Sequence, residues 1–224
     1  MDIIKTLFEN KDEKYKNFHS SLIPNVNPNL IIGVRVPVLR KIVSGLTNDE
    51  KKDFINSLPH KYYEENMIHA VILSNVKDYD YLIEKLDEFM PYIDNWAICD
   101  CLVPKCFKRN KDKLFIKIND WIQEGKTYYI RFAVKMLMNF YLDEDNIDPY
   151  LNMVINIKID DYYVNMMRAW FFQVALLKKW NITIKYIENN LLDTFTHNKA
   201  IAKSIESFRF TKDEKDYLKK LKRK

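Results

Sequence analysis

A chain of 224 residues with only three glycines, Gly33, Gly45 and Gly125, has little choice of architecture. Sheet-rich folds place glycine in turns that need positive φ, so this scarcity favours helices joined by short connections. It also removes glycine-rich phosphate cradles, because neither GxGxxG nor GxxxxGKS/T can be written with these three positions.

Apolar residues recur at three-to-four spacing almost throughout, the period of helices that bury one face. The pattern predicts helices over 2–9, 12–22, 37–45, 48–57, 61–76, 79–90, 95–107, 111–124, 127–142, 146–156, 161–180, 182–191, 196–207 and 213–222. Pro37 fits a first helical position, Thr47 to Glu50 spells a capping box, and Gly45 and Gly125 fall where helices end. Residues 23–36 hold Pro24 and Pro28 and read as an extended connection that absorbs the strand-like Leu30-Ile31-Ile32. The pairs 61–90, 95–124, 127–156 and 161–191 recur at roughly 33 residues, near the length of helical repeat units. The expected fold is therefore all-α: a helical-repeat solenoid, an α-α superhelix, whose concave face carries a basic groove. It is read as one domain over 1–224, ending in a basic tail at about 212–224.

The net charge is +5, but it is uneven. Residues 197–224 hold ten Lys or Arg against four acids, so the remainder of the chain is close to neutral. Basic charge gathered at one end suits a polyanion partner; it also suits a solvated terminal helix with a frayed lysine tail. Cys99, Cys101 and Cys106 form neither a CxxC nor a Cys/His ligand set, so no metal or cofactor is expected, and reduced thiols in a cytoplasmic protein are. No uncharged apolar run reaches membrane-spanning length, and no membrane partner is expected.

The chemistry concentrates in Asp94-Asn95-Trp96-Ala97-Ile98-Cys99-Asp100. Trp96 and Asp100 are four residues apart and share a helical face. Aspartate is poor in a helix interior, and here its neighbours are Ile98, Cys99, Cys101 and Leu102. The predicted helix 127–142 is apolar apart from Arg131, Lys135 and Asn139, which form one polar stripe. Facing a groove, that stripe would hold phosphates; facing water, it would only keep the helix wet. Trp170 shares a face with Tyr163, Met166, Met167 and Gln173, a spacing that also serves ordinary core packing. An aromatic plate, a fixed carboxylate and an arginine can recognise a cationic base beside a phosphate. A core tryptophan next to a buried ion pair would have the same composition.

In order and spacing, several segments together resemble the AlkD-type DNA alkylation repair proteins, HEAT-like helical solenoids that act as DNA glycosylases. They are Ile32-Gly33-Val34-Arg35-Val36-Pro37 with Leu39-Arg40, the Asp94–Asp100 stretch, Ile130-Arg131-Phe132-Ala133-Val134, Asp161-Tyr162-Tyr163 running to Ala169-Trp170, and His197-Asn198-Lys199-Ala200-Ile201 with Glu206-Ser207. The resemblance implies a site made of Trp96, Asp100, Arg131 and Trp170. Asp100 is the catalytic carboxylate, Trp96 and Trp170 contact the deoxyribose, and Arg131 holds a phosphate with Lys135 beside it. Arg35, Lys199 and Arg209 are further DNA contacts. Where the characterised glycosylases tend to carry a second aromatic before the first Trp, this chain has Asn95. The implied function is excision of cationic alkylated purines, of the 3-methyladenine or 7-methylguanine type, from duplex DNA by a monomer associated with the nucleoid. A non-catalytic scaffold that binds DNA or protein is the alternative.

Overall fold

The computed structural model describes residues 1–224; about 70% of them are helical and none forms a strand. The α-helices are α1 Ile3–Glu9, α2 Glu13–Leu22, α3 Val36–Gly45, α4 Asn48–Ile55, α5 Tyr63–Leu73, α6 Tyr79–Phe89, α7 Trp96–Cys101, α8 Lys111–Gln123, α9 Thr127–Phe140, α10 Asp148–Ile155, α11 Tyr162–Lys178, α12 Trp180–Glu188, α13 Thr194–Glu206 and α14 Lys212–Lys220. Every expected helix is present, in the expected order, and the fold is of the all-α helical-repeat class. One helix differs in extent. The expected 95–107 stops at Cys101, and Lys105–Arg109 forms a separate 3-10 turn. Pro104 makes the break, because it has no N–H to give and disfavours helical backbone at Val103.

The chain packs as two compact units, Met1–Asn110 and Lys111–Lys224, divided between α7 and α8. In the first, α5 is the hub and packs against α3, α4, α6 and α7. All of α5 is buried except Asn66, including three polar side chains that each find partners. The Glu64 carboxylate accepts the backbone N–H groups of Ile32 (2.9 Å), Gly33 (2.7 Å) and Val34 (3.2 Å), which pins the extended connection before α3. Gly33 sits at φ +97°, and a Cβ there would lie 2.7 Å from the Asp12 carbonyl and from Lys16 Cβ. Glu65 closes a cap on the N–H groups of Lys61 and Tyr62, and His69 Nδ1 pairs with His60 Nε2 at 2.9 Å.

In the second unit α11 is the hub, packed on α9, α12 and α13, with α8 against α9 and α14 against α13. Asp161 caps α11 by accepting from the N–H groups of Tyr163 and Val164, and its other oxygen accepts from Thr127 at the start of α9. Arg168 is 5% exposed; it donates to the Val154 carbonyl and to Asn165 and pairs with Asp193 at 2.8 Å. The basic end of the chain is helical and anchored. The side chain of Asn198 exchanges two hydrogen bonds with the Arg223 backbone, and His197 donates to the Leu221 carbonyl at 2.7 Å.

Candidate nucleic-acid interface

Asn95 opens α7. Its side chain accepts from the Ile98 N–H at 3.0 Å, caps the helix and donates to Asp94 at 2.8 Å. Asn95 is fully buried, and its amide serves as a helix cap at the position where the resembled family tends to carry an aromatic. The cap sets Trp96 at the first helical position and Asp100 one turn later, and both are half-buried. The Trp96 indole N–H donates to the Leu22 carbonyl at 2.8 Å, so the ring has a fixed orientation.

Asp100 lies in the wall of an open cleft of about 860 Å³ within the first unit. Arg40 from α3, Lys51 and Lys52 from α4, and Lys105 after α7 share that wall with it. Four cations against one carboxylate make a surface for anions. Arg35 does not join them. It sits at the N-cap of α3, with its guanidinium on Asp12 at 2.9 Å and over the Tyr15 ring at 4.8 Å.

In the second unit the polar stripe on α9 is present but buried. Arg131 is 6% exposed and Lys135 3%, and Arg131 Nη1 donates to the Tyr163 carbonyl at 2.7 Å. The open, solvent-facing stripe that the spacing allowed is therefore not found; the Arg131 guanidinium instead braces the start of α11. Trp170 is half-buried on α11, and Lys199 half-buried on α13. Arg209 is exposed in the turn after α13, beside a completely exposed Phe208.

Lys203, one turn after Lys199, escaped the sequence reading. Burial lowers its pKa, the like charge of Lys199 lowers it further, and Arg131 adds to the effect against Glu206. Lys199 and Lys203, one turn apart on α13, thus present two neighbouring cations, with the charge of Arg131 also felt at Lys203, and make a candidate phosphate site. The signal in the sequence was the i, i+4 spacing of Lys199 and Lys203.

The histidines serve packing. His19 bonds the Tyr63 hydroxyl at 2.8 Å, His60 and His69 bond each other, and His197 holds the chain end. No group of three or more His, Cys, Asp or Glu side chains is arranged to hold a metal ion, and none of the three cysteines forms a disulfide. No helix is long and apolar enough to cross a membrane.

Helix pairs that present clustered cations define a helical-repeat protein suited to a polyanion. The family model of DNA alkylation repair enzymes matches residues 3–157, and the chain belongs to that family. Its role is in the repair of alkylated DNA. The matched span contains Arg35, Trp96, Asp100, Arg131 and Lys135, whereas Trp170, Lys199 and Arg209 lie beyond it. Comparison with curated proteins returned no match.

Proposed function

We propose that the protein is a DNA N-glycosylase that releases cationic alkylated purines, of the 3-methyladenine or 7-methylguanine type, from duplex DNA. The observation that carries this reading is Asp100: a carboxylate on the wall of an open, cation-rich cleft, one helical turn from an oriented indole. A purine alkylated at N3 or N7 already bears positive charge and leaves readily. The C1′–N bond breaks, its electron pair departs with the now neutral base, and positive charge develops on the sugar. Ionised Asp100 stabilises that charge and orients the water whose oxygen bonds to C1′; the water's proton passes to the carboxylate and on to solvent. Opposite charges about 4 Å apart interact by roughly 4 kcal/mol at an effective dielectric near 20, about three powers of ten in rate.

Trp96 offers its face to the cationic sugar, and Trp170 takes the second aromatic contact that the family resemblance implies. Lys199 and Arg209 bind phosphates, with Arg35 in a lesser role because Asp12 already matches its charge; Arg131 and Lys135, both buried, contribute positive charge from behind that surface. Incubation with methylated duplex DNA followed by chromatography of freed bases tests the reading. Release of alkylpurines above the spontaneous rate supports it, and none refutes it.

The alternative is a non-catalytic scaffold, favoured by two contacts of a structural kind: the Trp96 indole on Leu22 and the buried Arg131 guanidinium on Tyr163. On that reading Trp96 and Trp170 are packing, Asp100 belongs to a buried ion pair, and Asp100→Asn lowers thermal stability clearly. On the glycosylase reading it leaves stability close to that of the parent.

A further inference from the structure

The cleft beside Asp100 contains more positive charge than catalysis needs. Its cations come from three separate places in the fold: Arg40 on α3, Lys51 and Lys52 on α4, and Lys105 in the 3-10 turn after α7. Arg40, Lys51 and Lys52 carry no ion pair. Lys105 Nζ donates at 3.0 Å to the neutral Asn75 side-chain oxygen. The acids of α4, Asp49, Glu50 and Asp53, do not line the cavity, and Glu50 is engaged with the N-terminal amine. Like charges drawn from separate elements into one cavity repel one another. Such an arrangement is stable when an anion is what the cavity holds. Asn48 adds a neutral polar side chain along the same wall, whereas the hydroxyls of Ser44 and Ser74 and the Asn75 amide donate to backbone carbonyls of α3 and α5. The single carboxylate, Asp100, is a poor neighbour for a phosphate and a good one for a sugar gaining positive charge.

We infer that this cleft is a phosphate track: Arg40, Lys51, Lys52 and Lys105 hold consecutive phosphates of a DNA strand and so set its sugar before Asp100. The sugar-positioning part rests on the proposed glycosylase reading; the strand-binding part stands alone. Each cation that neutralises a phosphate releases counterions, so its loss flattens the salt dependence of binding by about one on a log–log plot.

The test is fluorescence anisotropy of the full chain with an undamaged duplex oligonucleotide across a salt series. The triple variant Arg40→Gln, Lys51→Gln, Lys52→Gln is expected to bind about tenfold or more weakly near 0.1 M salt, with a slope shallower by about 3. Lys52→Gln alone, at an exposed position, gives a slope shallower by about 1 and guards against a misfolded triple variant. Affinity and slope equal to the parent's in both variants would overturn the track. So would saturable binding of dAMP that the triple variant loses while its duplex affinity is unchanged, since the cleft would then belong to a free nucleotide. Undamaged DNA needs no base release. A parent protein that frees no alkylpurine defeats the glycosylase reading while the slope still decides the track. Normal release with an unchanged slope defeats the track alone.

Discussion

The Trp96 indole N–H donates to the Leu22 carbonyl oxygen at 2.8 Å, so the ring one helical turn before Asp100 is tied to the C-terminal end of α2. This bond orients the ring before any DNA arrives, and a group oriented in advance loses little freedom on binding. Trp96→Phe keeps an aromatic face but deletes the donor. It is expected to lower stability in urea by about 1 kcal/mol, the net worth of a typical hydrogen bond. Single-turnover release of 7-methylguanine should fall several-fold. A variant unchanged in both measurements would mean that the bond orients nothing of consequence.

The segment Ile32-Gly33-Val34 is held by the buried Glu64 carboxylate, and Gly33 approaches α2 too closely to carry a side chain. Glu64→Gln replaces one acceptor oxygen with a donor that faces other donors, and should cost about 2–3 kcal/mol. Gly33→Ala must move either the Asp12 carbonyl or α2 while holding a positive φ, and should cost at least as much, above about 2 kcal/mol. Chemical denaturation reads both. Parent-like midpoints would show that the connection before α3 is not pinned as described.

The charges of Lys199 and Arg131 both lower the pKa of Lys203, after the larger effect of burial. Lys199→Gln removes the larger like-charge effect, so the Lys203 pKa should rise toward its ordinary value, as measured by NMR titration of the ε-methylene. The same variant should bind duplex with a salt slope shallower by about 1. Arg131→Ala should weaken binding to abasic-analogue DNA and also cost about 1.5–3 kcal/mol of stability, because a charged donor leaves the Tyr163 carbonyl. An unaltered Lys203 titration in Lys199→Gln would remove the cluster as a phosphate site.

Burial lowers the pKa of His60 to about 4 and that of His69 to about 3. In the unfolded chain both take protons near pH ~6.5. Below that pH the unfolded state binds protons that the folded state refuses, down to about 4 and 3. The contribution to stability is therefore complete above pH ~6.5 and declines as pH falls through the window. Urea midpoints measured from pH 7 to 5, above the ordinary carboxylate range, should drop steadily, and His60→Gln should flatten part of that decline. A midpoint that rises on acidification would contradict this sign.

The fold was legible because its signals are local. Helix period, the Thr47–Glu50 capping box and scarce glycine each act within a few residues, and the structure has the helices they predict. The error at 95–107 arose where apolar spacing continued past Pro104, which backbone chemistry does not permit. The candidate site was only half legible. Trp96 and Asp100 could be paired because one helical turn joins them. The convergence of Arg40, Lys51, Lys52 and Lys105 on one cavity depends on α3, α4 and α7 packing around α5, and no spacing encodes that. Burial of Arg131 and Lys135 was hidden for a related reason. A polar stripe looks the same in sequence whether it meets water or a neighbouring carbonyl. The segments Asp161-Tyr162-Tyr163 and His197-Asn198 drew notice through a family resemblance, yet Asp161, Tyr163, His197 and Asn198 brace helix starts and the chain end.

The most direct measurement is release of 7-methylguanine from methylated duplex DNA by Asp100→Asn under single-turnover conditions, with duplex affinity and melting temperature recorded on the same preparation. Release is expected to fall by about two to three powers of ten, with folding and binding retained. Release at the parent rate, or a loss of release that follows only from a collapsed melting temperature, would contradict it.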